Sequence, residues 1–234
     1  MDLRTAPASA AAGPPPPWPS LPPARAVHLD PLELRLLWLP PGDDDLPRRG
    51  RIDALLRRVL APLVGEPAAA LRFGREDKGR PFLRHDRAPD FNLSDTEGGT
   101  LLALTHAARV GVDLERVARA PPAAKLARRY FAAAEAEALA ALPEAQAARE
   151  FIRLWTAKEA SCKSTGTGIF GWLPHWQFAV GEDAPRLRGL PEHAGDAGRW
   201  RFLRVAPGDH HTAVLALRDA APGLRLSAYT LDAA

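Results

Sequence analysis

The stretch Val110-Gly111-Val112-Asp113-Leu114-Glu115 decides how this chain reads. Its alternation is that of a short strand, in which residues two apart share a face. Val112 and Leu114 then point into a core, and Asp113 and Glu115 stand together at the strand's end. Two convergent carboxylates repel and raise each other's pKa unless a cation lies between them. Oxygen-only ligation beside a phosphate is the preference of Mg²⁺. Acidic pairs at strand ends are also common as plain solvated residues, so this pair needs a third partner to make a site.

Upstream, Phe91-Asn-Leu-Ser94 leads through Gly98-Gly99 into the apolar run 101–104, and His106-Ala-Ala-Arg109 reads as the hairpin into the acidic strand. Gly79-Arg80-Pro81 marks a turn. Residues 51–63 set Ile52, Leu55, Leu56, Val59, Leu60 and Leu63 at helical spacing, with the arginines largely off the apolar face. Residues 26–39 alternate as strands do, from Val27 and Leu29 to Trp38, before Pro40-Pro-Gly-Asp-Asp-Asp breaks the pattern. Residues 1–24 are dominated by Ala and Pro and read as a mobile arm.

Downstream, 124–142 and 147–164 predict two helices, and 172–180, 200–205, 211–217 and 224–231 are strand-like. Strand, helix and hairpin recur on both sides of the acidic strand. This predicts an α+β fold of two similar halves, 25–118 and 119–234, a pseudo-duplication of antiparallel sheets packed by helices with the active site between the halves.

Composition narrows the function classes. The 234 residues carry a formal charge of +3, and only four of the basic residues are lysines: Lys78, Lys125, Lys158 and Lys163. A mild positive balance suits an anionic partner, and no interleaving of aromatic and basic residues points to nucleic acid. Apolar stretches fall short of the ~20 residues a membrane span requires, so no membrane helix is expected. The single cysteine, Cys162, excludes an internal disulfide framework and fits a reducing compartment. Met1-Asp-Leu-Arg-Thr lacks the charged and apolar regions of a secretory signal, and the cytoplasm is the expected location.

A second constellation is Trp155-Thr-Ala-Lys158-Glu159-Ala-Ser-Cys162-Lys163. On a helix Trp155, Glu159 and Lys163 share a face, being four apart. An exposed Glu–Lys pair of this spacing contributes only a few tenths of a kcal/mol. Yet two of the chain's four lysines flank this one glutamate. Lysine offers a compact charge to phosphate oxygens, and glutamate binds metal or takes a hydroxyl proton.

Together the two stretches resemble the paired signature of the 4′-phosphopantetheinyl transferases, (V/I)-G-(V/I)-D-(L/I/V)-E followed some forty residues later by (F/W)-(S/C/T)-x-K-E-(A/S)-x-x-K. Gly79-Arg80-Pro81, Phe91-Asn-Leu-Ser94, Arg129-Tyr-Phe131 with Glu135 and Leu139, and Gly166-Thr-Gly168-Ile169 extend the likeness over roughly 45–180. The length resembles the long, Sfp-like class, whose members are monomers of two similar halves.

The resemblance implies transfer of the phosphopantetheine arm of coenzyme A onto a serine of an acyl- or peptidyl-carrier protein, with release of 3′,5′-ADP. It implies that Asp113, Glu115 and Glu159 gather around Mg²⁺ and that Asp113, Glu159 and Lys163 form the catalytic set, with Glu159 as base. It implies that Lys158 and Lys163 neutralise phosphate oxygens, and that Ser94, Arg80 and Pro81 line the coenzyme A site.

The chain departs from the family in having Ser94-Asp95-Thr96 where S-H-(S/T) is usual. Asp95 would repel the 3′-phosphate, and Arg48, Arg49 and Arg51 are the expected compensating cations. Two other readings stay open on the sequence. One is a carrier-binding homologue without catalysis, motivated by Asp95. The other is a magnesium nuclease, which needs a lysine two residues beyond its second acid; Val117 and Ser161 stand there instead. The adjacent His210 and His211 fall on opposite strand faces and make no metal pair.

Overall fold

The computed structural model describes residues 18–41, 47–117, 122–208 and 210–232. Two sheets lie face to face, each backed by one long helix. The first has the order β11–β1–β5–β4, built from β1 (Glu33–Leu39), β4 (Asp90–Thr96), β5 (Gly99–Thr105) and β11 (Arg225–Thr230). The second has the order β6–β10–β9, from β6 (Arg109–Arg116), β9 (Trp200–Val205) and β10 (His211–Arg218). All these pairings are antiparallel except β1 with β11. The fold is α+β, as the sequence predicts. The strands β6 and β11 each pair across residue 118, β6 with β10 and β11 with β1.

Period-two burial decides the layers. Leu34, Leu36, Leu101 and Ala103 from the first sheet meet Val110, Val112, Leu114, Ala213 and Leu215 from the second in one core. On the opposite face of the first sheet, Leu37, Leu102 and Leu104 pack on Leu56, Val59 and Leu60 of helix α2 (Arg48–Val64). On the opposite face of the second, Val214 and Ala216 pack on Phe151, Leu154 and Ala157 of helix α5 (Glu144–Thr165). The acidic strand β6 therefore turns Gly111, Asp113 and Glu115 toward α5. A Cβ on Gly111 would lie 2.1 Å from the Ala160 carbonyl, so only glycine lets helix and strand come this close.

Several sequence expectations are corrected. Trp18 is 4% exposed in the core between the sheets, and Leu21 donates to the Thr230 carbonyl at 3.1 Å, so the chain is anchored from residue 18 rather than from 25. Burial of an indole outweighs the freedom of a proline-rich segment; residues 1–17 of the expected arm lie outside the described ones. The segment 26–32 is not a strand: the short helix α1 (Pro23–Ala26) precedes it, and Asp30 accepts the Leu32 N–H at 2.9 Å in a side-chain turn. The break at 42–46 lies outside the described residues.

The helix expected over 124–142 is two, α3 (Ala123–Tyr130) and α4 (Ala133–Ala140). Phe131 takes an extended conformation between them and stacks on Phe151 at 4.9 Å. Of 172–180, only β7 (Gln177–Phe178) is strand, paired with β8 (Leu187–Gly189). Its approach is a 3₁₀ turn over Leu173–His175 containing Pro174. Among the described residues, no helix is long and apolar enough to cross a membrane.

Candidate active site

The site is assembled on β6, on the neighbouring β4 and on α5. In β4 the polar residues Asp90, Asn92 and Ser94 recur every second position and so share one face. They meet β6 with side chains rather than with a backbone ladder: Asp90 Oδ2 accepts the Val110 N–H at 2.7 Å and Asn92 Oδ1 the Val112 N–H at 2.9 Å. Ser94 donates to Asp113 Oδ1 at 3.0 Å. These contacts fix the height of Asp113 along the edge of β6.

From α5, Lys163 closes the group. Its ammonium donates to Asp113 Oδ1 at 2.6 Å and to Ser94 Oγ at 3.0 Å. Asp113 is 3% exposed, and its other oxygen, Oδ2, is buried with no hydrogen-bond partner. One turn earlier on the helix, Glu159 is half-buried beside this cluster. Burial first, then the charges of Asp113 and Glu115, push its carboxyl up to about 7 against the opposing pull of Lys163 and a hydrogen bond with Trp155. Glu115 is half-buried at the end of β6. The shared faces expected for Asp113 with Glu115 and for Trp155, Glu159 and Lys163 are those observed.

Among the described residues, no three His, Cys, Asp or Glu groups already stand at metal-holding distance. The donor set nevertheless fits a hard cation. An unpartnered buried carboxylate oxygen on Asp113, and a glutamate whose ionised form is disfavoured by two neighbouring carboxylates, both gain from a divalent ion bound through oxygen.

Two expected ligand residues serve the framework instead. Lys158 is fully buried and faces away from β6. Its ammonium donates to Glu135 Oε2 at 2.7 Å, to the Leu173 carbonyl at 3.0 Å and to the Trp176 carbonyl, and it lies 4.6 Å from the Phe131 ring centroid. All three donors are taken, so the phosphate role expected for Lys158 does not hold. Burial lowers its pKa, and Glu135 opposes the shift. Glu135 also accepts the Ala132 and Phe178 N–H groups, tying α4, α5 and β7 together.

Arg80 is likewise 6% exposed, with its guanidinium on Asp90 and on the carbonyls of Phe91, Val110 and Lys163. Its donors are thus taken by protein groups, although the residue still lines the smaller cavity. Pro81, next to it, keeps its expected place on a cavity wall.

Lys163 walls one open cavity, which shares Pro81, Asn92 and Leu93 with a second. The smaller, 220 Å³, is walled by Lys163, Arg80, Pro81, Asn92 and Leu93, with Gly166, Gly168 and Ile169 from the loop after α5. The larger, 710 Å³, lies between α2, β4 and the hairpin of β2 (Phe73–Arg75) with β3 (Pro81–Leu83). Arg48, Arg49, Arg57, Arg72 and Arg75 reach its wall, around apolar contacts from Phe73, Ile52 and Leu56. Arg51 sits half-buried on the first turns of α2. Asp95 does not stand as an open negative charge, because Arg48 Nε lies 2.6 Å from its Oδ2 and Thr100 donates to its Oδ1.

Sequence reasoning missed Asp90, Asn92, Arg72 and Arg75, and gave Glu135 no partner. The alternation of Asp90, Asn92 and Ser94 with Phe91 and Leu93 was a usable signal for a strand with a polar working face. The Glu135–Lys158 pair, 23 residues apart in sequence, left none.

A 4′-phosphopantetheinyl transferase HetI of Nostoc sp. is 32% identical over 167 residues, covering 70% of this chain and 67% of that protein. The chain belongs to the 4′-phosphopantetheinyl transferase superfamily. The family model of that description matches residues 109–215, which hold both β6 and α5. A putative 4′-phosphopantetheinyl transferase of Synechocystis sp. is 36% identical over 149 residues, 63% of this chain and 59% of the relative. The transferase Sfp of Bacillus subtilis is 26% identical over 140 residues, 60% and 61% of the two chains. The match thus spans about three fifths of the length of these two relatives. The stretches 110–115 and 155–163 both fall within the matched residues.

Proposed function

We propose that this protein transfers the 4′-phosphopantetheine group from coenzyme A to a serine of an apo acyl- or peptidyl-carrier protein, in a Mg²⁺-dependent reaction that releases 3′,5′-ADP. The observation that carries the reading is the meeting of Ser94, Asp113 and Lys163 at one point, with Asp113 Oδ2 buried and unpartnered and Lys163 on the wall of an open cavity. That arrangement offers one cation to a phosphate and leaves carboxylate oxygen for a second. Phosphoryl transfer asks mainly for positioning and charge compensation, which these residues supply without a covalent enzyme intermediate.

In this reading Asp113, Glu115 and Glu159 hold Mg²⁺, which when bound neutralises pyrophosphate oxygens. Lys163, held by Asp113 and Ser94, faces the phosphate and offsets the charge that develops on the leaving 3′,5′-ADP. The carrier serine attacks phosphorus, the bond from phosphorus to the bridging oxygen breaks, and Glu159 takes the serine proton directly or through water. The nucleotide end lies in the 710 Å³ cavity, a volume within the roughly 300–1,000 Å³ usual for ligand sites. Arg49, Arg72 and Arg75 there supply positive charge for the 3′-phosphate, while Arg48 neutralises Asp95. Arg51 belongs to the same basic helix start.

The carrier docks, in the same proposal, on α3, whose Lys125, Arg128 and Arg129 are exposed and suit an acidic partner. The protein acts as a monomer in the cytoplasm, on neither nucleic acid nor membrane. The halves 25–118 and 119–234 are taken as repeats, a reading supported by one long helix in each, although β6 and β11 are exchanged between their sheets. Incubating an apo-carrier protein with coenzyme A, with and without Mg²⁺, and weighing it by mass spectrometry tests the function. The expected result is a gain of one phosphopantetheine mass with Mg²⁺ only; no gain with fatty-acid, polyketide or peptide carriers overturns the reading.

A further inference from the structure

We propose that Arg80 is a positioning residue for Lys163, holding the end of α5 against β6 at the height where the Lys163 ammonium meets Asp113. The inference takes from the proposed function only that Lys163 serves the transferred phosphate. One terminal nitrogen of Arg80 donates to two carbonyls at once, that of Val110 in β6 at 2.8 Å and that of Lys163 in α5 at 2.6 Å. The other is held by both oxygens of Asp90, at 2.9 and 2.7 Å, and by the Phe91 carbonyl at 3.1 Å. Asp90 in turn accepts the Val110 N–H. The Arg80–Asp90 pair thus takes up the N–H and C=O of Val110 together, and the bond left over reaches Lys163 itself.

A second guanidinium strengthens the same joint. Arg109 donates to the Ser164 carbonyl at 2.8 Å and to both oxygens of Glu76 at 2.7 and 2.6 Å. Two cations therefore sit on successive carbonyls at the negative end of the α5 dipole. Glu76 lies in the same turn as Arg80, and a Cβ on Gly166, where α5 ends, would lie 2.4 Å from it. The hairpin that carries this clamp also walls the 710 Å³ cavity with Phe73, Arg75 and Pro81. The Lys163 side chain hangs from the very residue whose carbonyl Arg80 grips, so a shift of that peptide is passed on to the 2.6 Å contact with Asp113. A lysine at position 80 would gather its three donors on one nitrogen and could not reproduce the five bonds that Arg80 spreads over two terminal nitrogens, one on Val110 and Lys163 and the other on Asp90 and Phe91.

The test compares Arg80→Lys with the wild-type protein. It measures kcat and KM for coenzyme A with an apo-carrier, Kd for coenzyme A by calorimetry, and the Lys163–Asp113 distance in a crystal of the variant. Expected are a fall in kcat of about 10- to 100-fold, a Kd within about twofold of wild-type, and a Nζ–Oδ1 separation beyond about 3.5 Å. A Kd weakened tenfold or more overturns the inference, since Arg80 would then be touching ligand. A kcat within twofold of wild-type overturns it as well.

If Arg80→Lys does not fold, Asp90→Asn, which frees the guanidinium without removing it, is read by the same criteria. A wild-type protein that modifies no carrier overturns the proposed function alone. The crystallographic distance then still decides the role of Arg80: an unmoved Lys163 ammonium counts against it and a displaced one for it.

Discussion

Lys163 Nζ lies 2.6 Å from Asp113 Oδ1, while Oδ2 of the same carboxylate is buried without a partner. Half of that carboxylate is committed to a cation the chain supplies, and in the proposed function the other half takes the metal. Removal of either residue is expected to act on chemistry more than on folding. Asp113→Asn keeps the shape but weakens cation binding, and Lys163→Ala removes charge facing the phosphate. Each should lower kcat/KM for carrier modification about 100- to 1,000-fold, the usual cost of losing one transition-state contact. Holo-carrier formation followed by mass spectrometry checks this, and full activity in both variants would count against the site.

Lys158 gives a contrasting expectation, because its partner is Glu135 in the core of the α3–α5 layer. Lys158→Met leaves the Glu135 carboxylate buried beside no charge, a loss on the order of 3–5 kcal/mol. The double variant Lys158→Met/Glu135→Gln should recover part of that stability in thermal denaturation. Coenzyme A affinity, measured on the folded double variant, should stay within about twofold of wild-type. A large loss of affinity with stability intact would return Lys158 to the phosphate.

Cys162 is one residue from Lys163 yet packs inward, 1% exposed. Burial, followed by the nearby Glu159 charge, pushes its thiol up to about 12. Alkylation needs the thiolate. Iodoacetamide at pH 8 should therefore leave the native protein unlabelled over a time in which the guanidinium-unfolded chain is labelled fully. Rapid labelling of the folded protein would show a reactive cysteine.

What was legible in the sequence was whatever repeats locally. The alternation 110–115 fixed which face of β6 carries carboxylates, and the four-residue spacing of Trp155, Glu159 and Lys163 fixed the working face of α5. The boundaries of β9, Trp200–Val205, were read to the residue. Long-range partners were not legible. Lys158 and Lys163 look alike on paper, two lysines flanking one glutamate, but they differ by five positions on a helix of 3.6 residues per turn and so face different layers. Gly79-Arg80-Pro81 was legible as a turn, but only the fold places the carbonyls of Val110 and Lys163 on Arg80. Asp95 looked like an open repulsion until α2 brought Arg48 to it.

Gly111 should tolerate no side chain. The Cβ of Gly111→Ala would meet the Ala160 carbonyl at 2.1 Å and the Ser164 nitrogen at 2.4 Å, both backbone atoms of α5 that cannot rotate aside. Overpacking of this kind costs about 1–3 kcal/mol or more. Because the strain would also push α5 off β6, the melting temperature and kcat should fall together. Unchanged thermal stability would mean that helix and strand are not in this contact.

Acid should weaken the first sheet through Glu33. This carboxylate, 4% exposed on β1, is held by Arg35 at 2.9 and 2.8 Å and by Ser227 of β11, so it joins the two parallel strands. Burial alone would raise its pKa, but the Arg35 and Ser227 hydrogen bonds and the Arg35 charge together bring it below the usual 4.5. A carboxyl with a depressed folded-state pKa binds more protons when unfolded, so its contribution is complete above about 4.5 and is lost as pH falls through the folded-state value. Glu33→Gln removes that contribution and leaves the buried Arg35 guanidinium without its counter-charge, at a cost on the order of 3 kcal/mol near pH 7. Denaturant melts of both proteins from pH 7 to pH 3 should show this gap narrowing below about pH 4.5 as wild-type Glu33 takes up its proton. A gap that stays constant across the range would mean that the Glu33 charge does not hold β1 to β11.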